Sequence, residues 1–254
     1  MRITTWNVNS LRVRLPHVLR FAEEQAPDVL CLQELKLSQD AFPEEELRAV
    51  FPHLEWWGQP TYNGVALLSK QPLEDVRRGF EGWKDDEARV LSCLVGGVRL
   101  WCLYTPNGQA IGTPKFLYKL EWLRHLREDL DRFASGTDVV VVGDMNVAPD
   151  DLDLWDPFKL DGQILCHPDE RAALQHVLDW GLLDAFREQN PYANEFSWWD
   201  YQKMGFQRNH GLRIDHTFVS RHLMPTVGRV TIHRDVRGWD NPSDHAPVSL
   251  DLKR

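Results

Sequence analysis

The order of elements in the first 33 residues constrains the fold more than any other feature of the chain. Residues 3–7 and 29–33 form short, apolar runs that predict strands, and residues 11–24 between them have the spacing of an amphipathic helix. Pro27 and Asp28 provide the turn into the second strand. This β-α-β start predicts a chain of the α/β class.

The rest of the chain mixes strands, hairpins and a few helices. Thr113 and Pro114 mark the start of a helix that should reach about Phe133, and a second helix over residues 169–180 ends at Gly181. Gly96 and Gly97 predict a hairpin turn. Further strands are predicted at residues 64–68, 90–95, 98–104, 139–143, 196–199, 213–220, 227–232 and 248–252. We expect two packed sheets covered by helices, in a single domain spanning residues 1–254.

Composition limits the location and the partners. The chain carries 29 Lys and Arg against 38 Asp and Glu, a net charge of −9, which at face value argues against a polyanionic partner. No run of about 18 apolar residues is present, and the N-terminus lacks the layout of a signal peptide. The four cysteines show no C-x-x-C spacing, so we expect free thiols in a cytoplasmic monomer that is not bound to a membrane.

Polar side chains recur where predicted buried strands end or begin. A single Asp or Asn in such a place is usually a turn former or a helix cap. Six sites with the same set of residue types are much harder to assign to turns. The residues concerned are Asn7, Glu34, Tyr104, Asn107, Asp144, Asn146, Asp215, Asp244 and His245.

Together these side chains have the chemistry of metal-assisted phosphodiester hydrolysis. Carboxylates such as Glu34 and Asp144 suit Mg²⁺, with Mn²⁺ as a substitute, because both ions prefer oxygen ligands. His245, oriented by an aspartate, can donate a charged hydrogen bond to a phosphate oxygen. The cysteine spacing does not suit structural zinc. Neither a Gly-x-Ser-x-Gly elbow nor a Gly-Lys-Ser/Thr phosphate loop is present.

The same blocks resemble the exodeoxyribonuclease III family over essentially the whole chain. The matching blocks, in order, are Trp-Asn-Val-Asn-Ser (6–10), Leu-Gln-Glu-Leu-Lys (32–36), Tyr-Thr-Pro-Asn-Gly (104–108), Gly-Asp-Met-Asn (143–146), Trp-Trp-Asp-Tyr (198–201), Gly-Leu-Arg-Ile-Asp-His (211–216) and Ser-Asp-His-Ala-Pro-Val (243–248). The resemblance implies a four-layered α/β sandwich, in which two mixed β-sheets pack face to face with helices outside. It also implies a bacterial-type Mg²⁺ enzyme that acts on double-stranded DNA at abasic (AP) sites and 3′ ends.

The resemblance further implies a role for each site residue. Glu34 is the main metal ligand, and the metal-side set is completed by Asn7, Asp144, Asn146, Asp244 and His245. Asp144 positions or deprotonates the attacking water, and Asn146 holds its orientation. Asp215 orients His245, which contacts the scissile phosphate. Tyr104 is similar to the family's active-site tyrosine, and Asn107 to its phosphate-binding amide.

Other residues carry weaker signals. Trp198, Leu212 and Ile214 match the apolar pocket that receives the extrahelical abasic sugar in the family. Lys115 and Lys119, one helical turn apart, are more typical of a solvated helix face than of a DNA-contacting surface. The acidic run at residues 150–156 is expected to be solvated. Asn9 stands where vertebrate relatives carry aspartate, which favours the bacterial subgroup.

The charge of −9 is unevenly distributed. Residues 201–240 hold seven basic and three acidic residues, whereas residues 21–50 hold two basic and eight acidic ones. Because DNA meets only one face of a protein, the net charge excludes only a tight, indiscriminate DNA binder.

Two alternatives remain open from the sequence. A phosphodiesterase for lipid or inositol phosphates would use the same fold, although the Gly-Leu-Arg-Ile-Asp block argues against it. A catalytically inactive DNA- or protein-binding module would have lost Glu34, Asp144 or His245, and all three are present.

Overall fold

Secondary structure is described for residues 1–253 in a computed structural model. The strands β1 to β14 are Arg2–Asn7, Val29–Gln33, His53–Trp57, Val65–Ser69, Glu74–Arg78, Val90–Val95, Val98–Tyr104, Val139–Asp144, Leu182–Asp184, Trp198–Trp199, Gly211–Leu212, Asp215–Ser220, Val227–Ile232 and Val248–Leu252. The helices α1 to α6 are Leu11–Gln25, Glu44–Arg48, Pro114–Phe133, Pro157–Leu160, Pro168–Leu178 and Ala185–Gln189. Within this described part, no helix combines the length and the apolar character that crossing a bilayer requires.

Two six-stranded sheets form the centre of the fold, in the orders β13-β14-β1-β2-β4-β3 and β5-β6-β7-β8-β12-β9. Each sheet contains one parallel pair, β1 with β2 and β7 with β8, and its other pairs are antiparallel. A parallel pair needs a crossover connection, and α1 and α3 supply the two crossovers. The predicted β-α-β start is therefore confirmed.

The apolar core lies in three layers. Side chains such as Cys31, Leu100 and Val140 from both sheets fill the space between them. The outer face of the first sheet packs under α1, and that of the second packs under α3 and α5. Central strands such as β8 are buried on both faces, which explains their continuous valine sequence. This is the expected α/β sandwich of two mixed sheets between helices.

Helix α3 is formed by the capping residues and the apolar periodicity that predicted it from the sequence. Thr113 caps it by accepting a hydrogen bond from the Phe116 amide at 3.3 Å, and Pro114 takes the first helical position. Its apolar stripe includes the fully buried Trp122 and Leu126, and each such side chain stabilises the fold by about 1.5–3 kcal/mol.

Some strands differ from the sequence prediction. Strands β3, β5 and β9 were not predicted, because they are short or lie at sheet edges with polar residues that weaken the apolar pattern. The strand expected over residues 213–220 begins two residues later, since β12 of the second sheet spans Asp215–Ser220. The preceding β11 pairs with β10 in a separate ribbon. The predicted strand at residues 196–199 is reduced to Trp198 and Trp199.

Candidate active site

The ends of strands from both sheets meet at one edge of the sandwich. Asn7 ends β1 and Glu34 follows β2, while Asp144 ends β8 directly opposite Asp215, the first residue of β12. His245 lies in the segment before β14 and forms an isolated bridge with Trp198. The topology thus collects side chains that are far apart in sequence. We use the name acidic cluster for Asn7, Glu34, Asp144, Asp215, Asp244 and His245.

Asn7 joins two carboxylates of the acidic cluster. Its fully buried side chain donates from Nδ2 to Glu34 Oε1 at 2.8 Å and to Asp144 Oδ2 at 2.9 Å. The other oxygen of Glu34 lies 2.8 Å from Lys36 Nζ. Glu34 has a left-handed backbone with φ of +52°, a conformation that non-glycine residues adopt mainly where surrounding contacts impose it.

His245 lies between two aspartates. Its Nδ1 is 2.9 Å from Asp215 Oδ2, and its Nε2 is 3.8 Å from Asp144 Oδ2. Burial by itself lowers the pKa of His245, but the charges of Asp215 and Asp144 and the hydrogen bond to Asp215 raise it to about 10. The two aspartates therefore favour the imidazolium form of the ring.

Asp144 is buried and held by Asn146. The Asn146 backbone amide donates to Asp144 Oδ1 at 2.9 Å, and its Nδ2 donates to Oδ2 at 3.2 Å. Asn146 has φ of +48°, which asparagine tolerates better than most residues. Desolvation raises the pKa of Asp144 above its ordinary value, and the His245 charge opposes the rise. This carboxylate is thus suited to accept a proton.

Asp244 is held by two donors at the rim of the cluster. Asn9 Nδ2 donates to its Oδ1 and Trp198 Nε1 to its Oδ2, both at 2.9 Å. Burial alone would raise the pKa of Asp244, but the His245 charge and these hydrogen bonds lower it overall. Asp244 therefore remains ionised.

The donor set fits a hard divalent cation. Ligand atoms of Glu34, Asp144 and His245 lie within 4.8 Å of one another. Oxygen atoms of Glu34 and Asp144 match the preference of Mg²⁺ for carboxylates. Because the Nδ1 of His245 is engaged by Asp215 and the ring is protonated, His245 fits better as a donor than as a ligand. The surplus of carboxylates gives the cation its electrostatic attraction.

Tyr104 and Asn107 extend the site to one side. Burial and the nearby charges of Glu34 and Asp144 raise the pKa of Tyr104, and the Arg89 guanidinium lies 4.7 Å from the centre of its ring. Asn107 Nδ2 donates to Asn146 Oδ1 at 3.2 Å. Both residues line a cavity of about 380 Å³, and Lys115 lines it as well. The site therefore opens into a polar recess next to the acidic cluster.

Comparison with known proteins identifies the family. A model described as the endonuclease/exonuclease/phosphatase family matches residues 4–245. The chain belongs to this family. It is 37% identical over 268 residues to exodeoxyribonuclease III of Haemophilus influenzae, covering 100% of both chains.

Solved structures place the chain more narrowly within the endonuclease/exonuclease/phosphatase family. The 3′ phosphatase NExo from Neisseria, bound to a product DNA hairpin, has a TM-score of 0.96 at 42% identity, with 99% of each chain covered. An AP endonuclease from Archaeoglobus fulgidus has a TM-score of 0.96 at 33% identity, with 100% of each chain covered. The protein is a DNA-repair nuclease and a homologue of exodeoxyribonuclease III.

The apolar residues singled out by the family resemblance lie together beside the acidic cluster. Trp198 pairs with Leu212 across the β10-β11 ribbon, and both belong with Ile214 to one apolar group that also includes Leu154 and Leu165. Ile214 is 1% exposed and Leu212 7%. Trp198 connects this group to the acidic cluster through its bond to Asp244.

Two expectations about charged residues are wrong. Lys119 is fully buried and pairs with Glu170, so it belongs neither to a solvated face nor to a DNA-contacting surface. Its spacing from Phe116 and Leu123 already placed it on the apolar stripe of α3. Asp153, within the acidic run expected to be solvated, is also fully buried and pairs with Arg213 at 2.7 Å.

The basic stretch at residues 201–240 is only partly available to a ligand. Arg213 is 1% exposed and Arg237 7%, and Arg213 is neutralised by internal ion pairs. Counting charges along the sequence therefore overstated the basic surface.

Sequence reasoning also missed a residue that orients the aspartate–histidine pair. Ser197 Oγ donates to Asp215 Oδ2 at 2.7 Å and accepts from the Ile214 and Asp215 amides. A lone serine before Trp198 gives no sequence signal, because the contact depends on the β10-β11 ribbon.

Proposed function

We propose that the protein is a Mg²⁺-dependent phosphodiesterase of duplex DNA. Its reactions are nicking on the 5′ side of abasic sites, 3′→5′ removal of nucleotides and cleaning of blocked 3′ ends. The observation that carries the proposal is the arrangement of Asp144 and His245: a buried carboxylate oxygen of Asp144 lies 3.8 Å from His245 Nε2, and Asp215 holds the other ring nitrogen. Phosphodiester hydrolysis needs a group that activates water and a group that stabilises the phosphate charge. Asp144 would supply the first and His245 the second.

The cation is proposed to be held by Glu34 and Asp144, with Asn7, Asn146 and Asp244 around them. When bound, Mg²⁺ would polarise a phosphate oxygen and stabilise the leaving 3′-oxygen. Mn²⁺ has the same ligand preference and should substitute for it. The bond from Asn7 to Glu34 orients that carboxylate.

The chain's own residues carry the proton transfer. Asp144 accepts a proton from the attacking water, which Asn146 helps to orient, and the water oxygen forms the new bond to phosphorus. The bond between phosphorus and the 3′-oxygen breaks, and the departing 3′-oxygen takes up a proton from solvent. His245 donates to a non-bridging oxygen and is held in place by Asp215, while Tyr104 and Asn107 supply further donors.

The apolar group next to the cluster is proposed to receive the damaged nucleotide. Trp198 is partly exposed at the rim, and the buried Leu212 and Ile214 pack behind it. An abasic nucleotide turned out of the helix has no base, so its sugar can contact this apolar group directly. The Neisseria homologue is named for action on 3′ ends and the Archaeoglobus fulgidus homologue for action on AP sites, and we propose both reactions for this site.

Three duplexes test the proposal: one with an internal abasic analogue, one with a 3′-phosphate at a nick and one intact and blunt. Each is incubated with the protein in Mg²⁺ and in EDTA. We expect a nick directly 5′ of the abasic analogue, release of inorganic phosphate and slow shortening of the blunt 3′ end, all only with metal.

Two variants complete this experiment. Glu34→Gln should lose activity in all three assays, and Glu46→Gln, at an exposed position on α2, should keep it. No cleavage of any duplex in Mg²⁺ would overturn the proposed function. Equal cleavage in EDTA would overturn the metal requirement, and action on 3′ ends alone would overturn the endonuclease part.

A further inference from the structure

The ammonium group of Lys119 lies beneath the active site with all its hydrogen bonds assigned. Its Nζ donates to the backbone oxygens of Asn107 at 3.2 Å and Asn146 at 2.6 Å, and to Glu170 Oε1. An ammonium has three hydrogens, so these three acceptors saturate it. The side chain is fully buried, so the ammonium group bonds to protein atoms and does not contact solvent.

The two backbone acceptors belong to residues whose amides line the site. Asn107 follows β7 and Asn146 follows β8, and their side chains are joined at 3.2 Å. Asn146 in turn donates twice to Asp144. One ammonium therefore connects the two loops that present the proposed phosphate-binding and water-orienting amides.

The surroundings are built around this lysine. Gly108 has φ of +88°, and a Cβ at this position would lie 3.1 Å from Lys119 Cδ, so the glycine leaves room for the aliphatic stem. Glu170 Oε2 accepts from the His167 amide at 3.0 Å and closes the first turn of α5. The ion pair is thus anchored to α3, to α5 and to both loops.

We propose that Lys119 is a positioning residue for phosphodiester cleavage, acting through the carbonyl groups of Asn107 and Asn146. The inference rests on the roles proposed above for Asn146 and Asn107. Asn146 adopts a left-handed backbone, and the bond to its carbonyl holds the residue in the conformation that directs both of its amide groups at Asp144. Loss of this bond lets the loop relax, and a displacement of about 1 Å in such groups costs up to about 100-fold in rate.

The test removes the ion pair as a unit. Lys119→Met alone would leave Glu170 buried without a partner, so the informative variant is Lys119→Met/Glu170→Met, with folding checked by circular dichroism. The matched control is Arg124→Met/Glu128→Met, an exposed pair on the same helix. We expect kcat to fall about 10- to 100-fold in the buried-pair variant with KM within about threefold, and the control to match the wild type.

A double-mutant cycle separates positioning from general support. In an Asn107→Ala/Asn146→Ala background, the buried-pair substitution should add less than about threefold, because both side-chain amides that it positions are already gone. Effects that multiply in the cycle, or a folded buried-pair variant with wild-type kcat, would overturn the inference. An inactive wild-type protein would instead overturn the proposed function.

Discussion

Two buried polar clusters lie next to one another along β12, and they differ in charge balance. The paired cluster comprises Asp153, Asp184, Arg187, Arg213 and His216. In it, Arg213 lies 2.7 Å from Asp153 and 2.8 Å from Asp184, and Arg187 lies 2.6 Å from Asp153. The acidic cluster has four carboxylates, Glu34, Asp144, Asp215 and Asp244, and the cations in direct contact with them are the His245 imidazolium and the neighbouring Lys36.

The difference distinguishes a structural network from a reaction site. Each carboxylate of the paired cluster has a guanidinium partner, so the network is electrostatically complete. The acidic cluster is stable only because hydrogen bonds compensate part of the repulsion, and it gains most from an added cation. Buried charge alone therefore does not mark an active site, whereas unbalanced buried charge does.

The largest effect should follow from breaking the paired cluster. Arg213→Met leaves the buried Asp184 without a guanidinium partner and Asp153 with Arg187 alone. This should lower the free energy of unfolding by about 3–5 kcal/mol. Urea unfolding followed by circular dichroism measures this change. Arg221→Met, at an exposed position just after β12, should cost less than about 0.5 kcal/mol. A loss of less than about 1 kcal/mol in Arg213→Met would contradict the assignment of this cluster to stability.

The acidic cluster should respond in activity rather than in stability. Asp144→Asn removes the proton acceptor and should lower kcat at least about 100-fold, about 2.7 kcal/mol in activation free energy. Its free energy of unfolding should change less than that of Arg213→Met, because removing a desolvated carboxylate offsets the altered hydrogen bonds. Single-turnover cleavage of an abasic duplex measures the rate. Wild-type turnover in the folded variant would remove Asp144 from the proposed mechanism.

The sequence predicted the acidic cluster but not the paired one, for a physical reason. Asn7, Glu34 and Asp144 stand at the ends of apolar runs, where polarity contrasts with the surrounding pattern and the family blocks add further support. Asp153 and Lys119 have no such contrast, since their burial depends on partners supplied by distant elements. The two sheets, α1 and α3 followed from periodicity and capping, whereas the edge strands β3, β5 and β9 are defined by pairing that local sequence does not encode.

The two clusters should also differ in how their variants respond to a cation, with a smaller change in the free energy of unfolding. Mg²⁺ at ten times its dissociation constant should raise the free energy of unfolding by about 1.4 kcal/mol, because it binds only the folded acidic cluster. Glu34→Gln should lose this gain, while Asp184→Asn, in the paired cluster, should retain it. Thermal unfolding across a Mg²⁺ titration from EDTA provides the measurement. Equal stabilisation of both variants would indicate that the cation binds elsewhere.

The paired cluster should contribute to the loss of folding stability at acidic pH. Burial alone would raise the pKa of Asp184, but the Arg213 charge and hydrogen bonds hold it well below its ordinary value of 3.8. A depressed folded-state pKa gives stability that is present above the unfolded pKa and lost as the pH falls below it, by at most about 1.4 kcal/mol for each pH unit. Asp184→Asn keeps a side-chain oxygen to cap α6 but lacks this titration. In EDTA, its unfolding free energy should therefore lie below that of the wild type at pH 7, and the two curves should converge between pH 4 and pH 2. A constant separation down to pH 2 would show that the ion pair with Arg213 does not stabilise the fold.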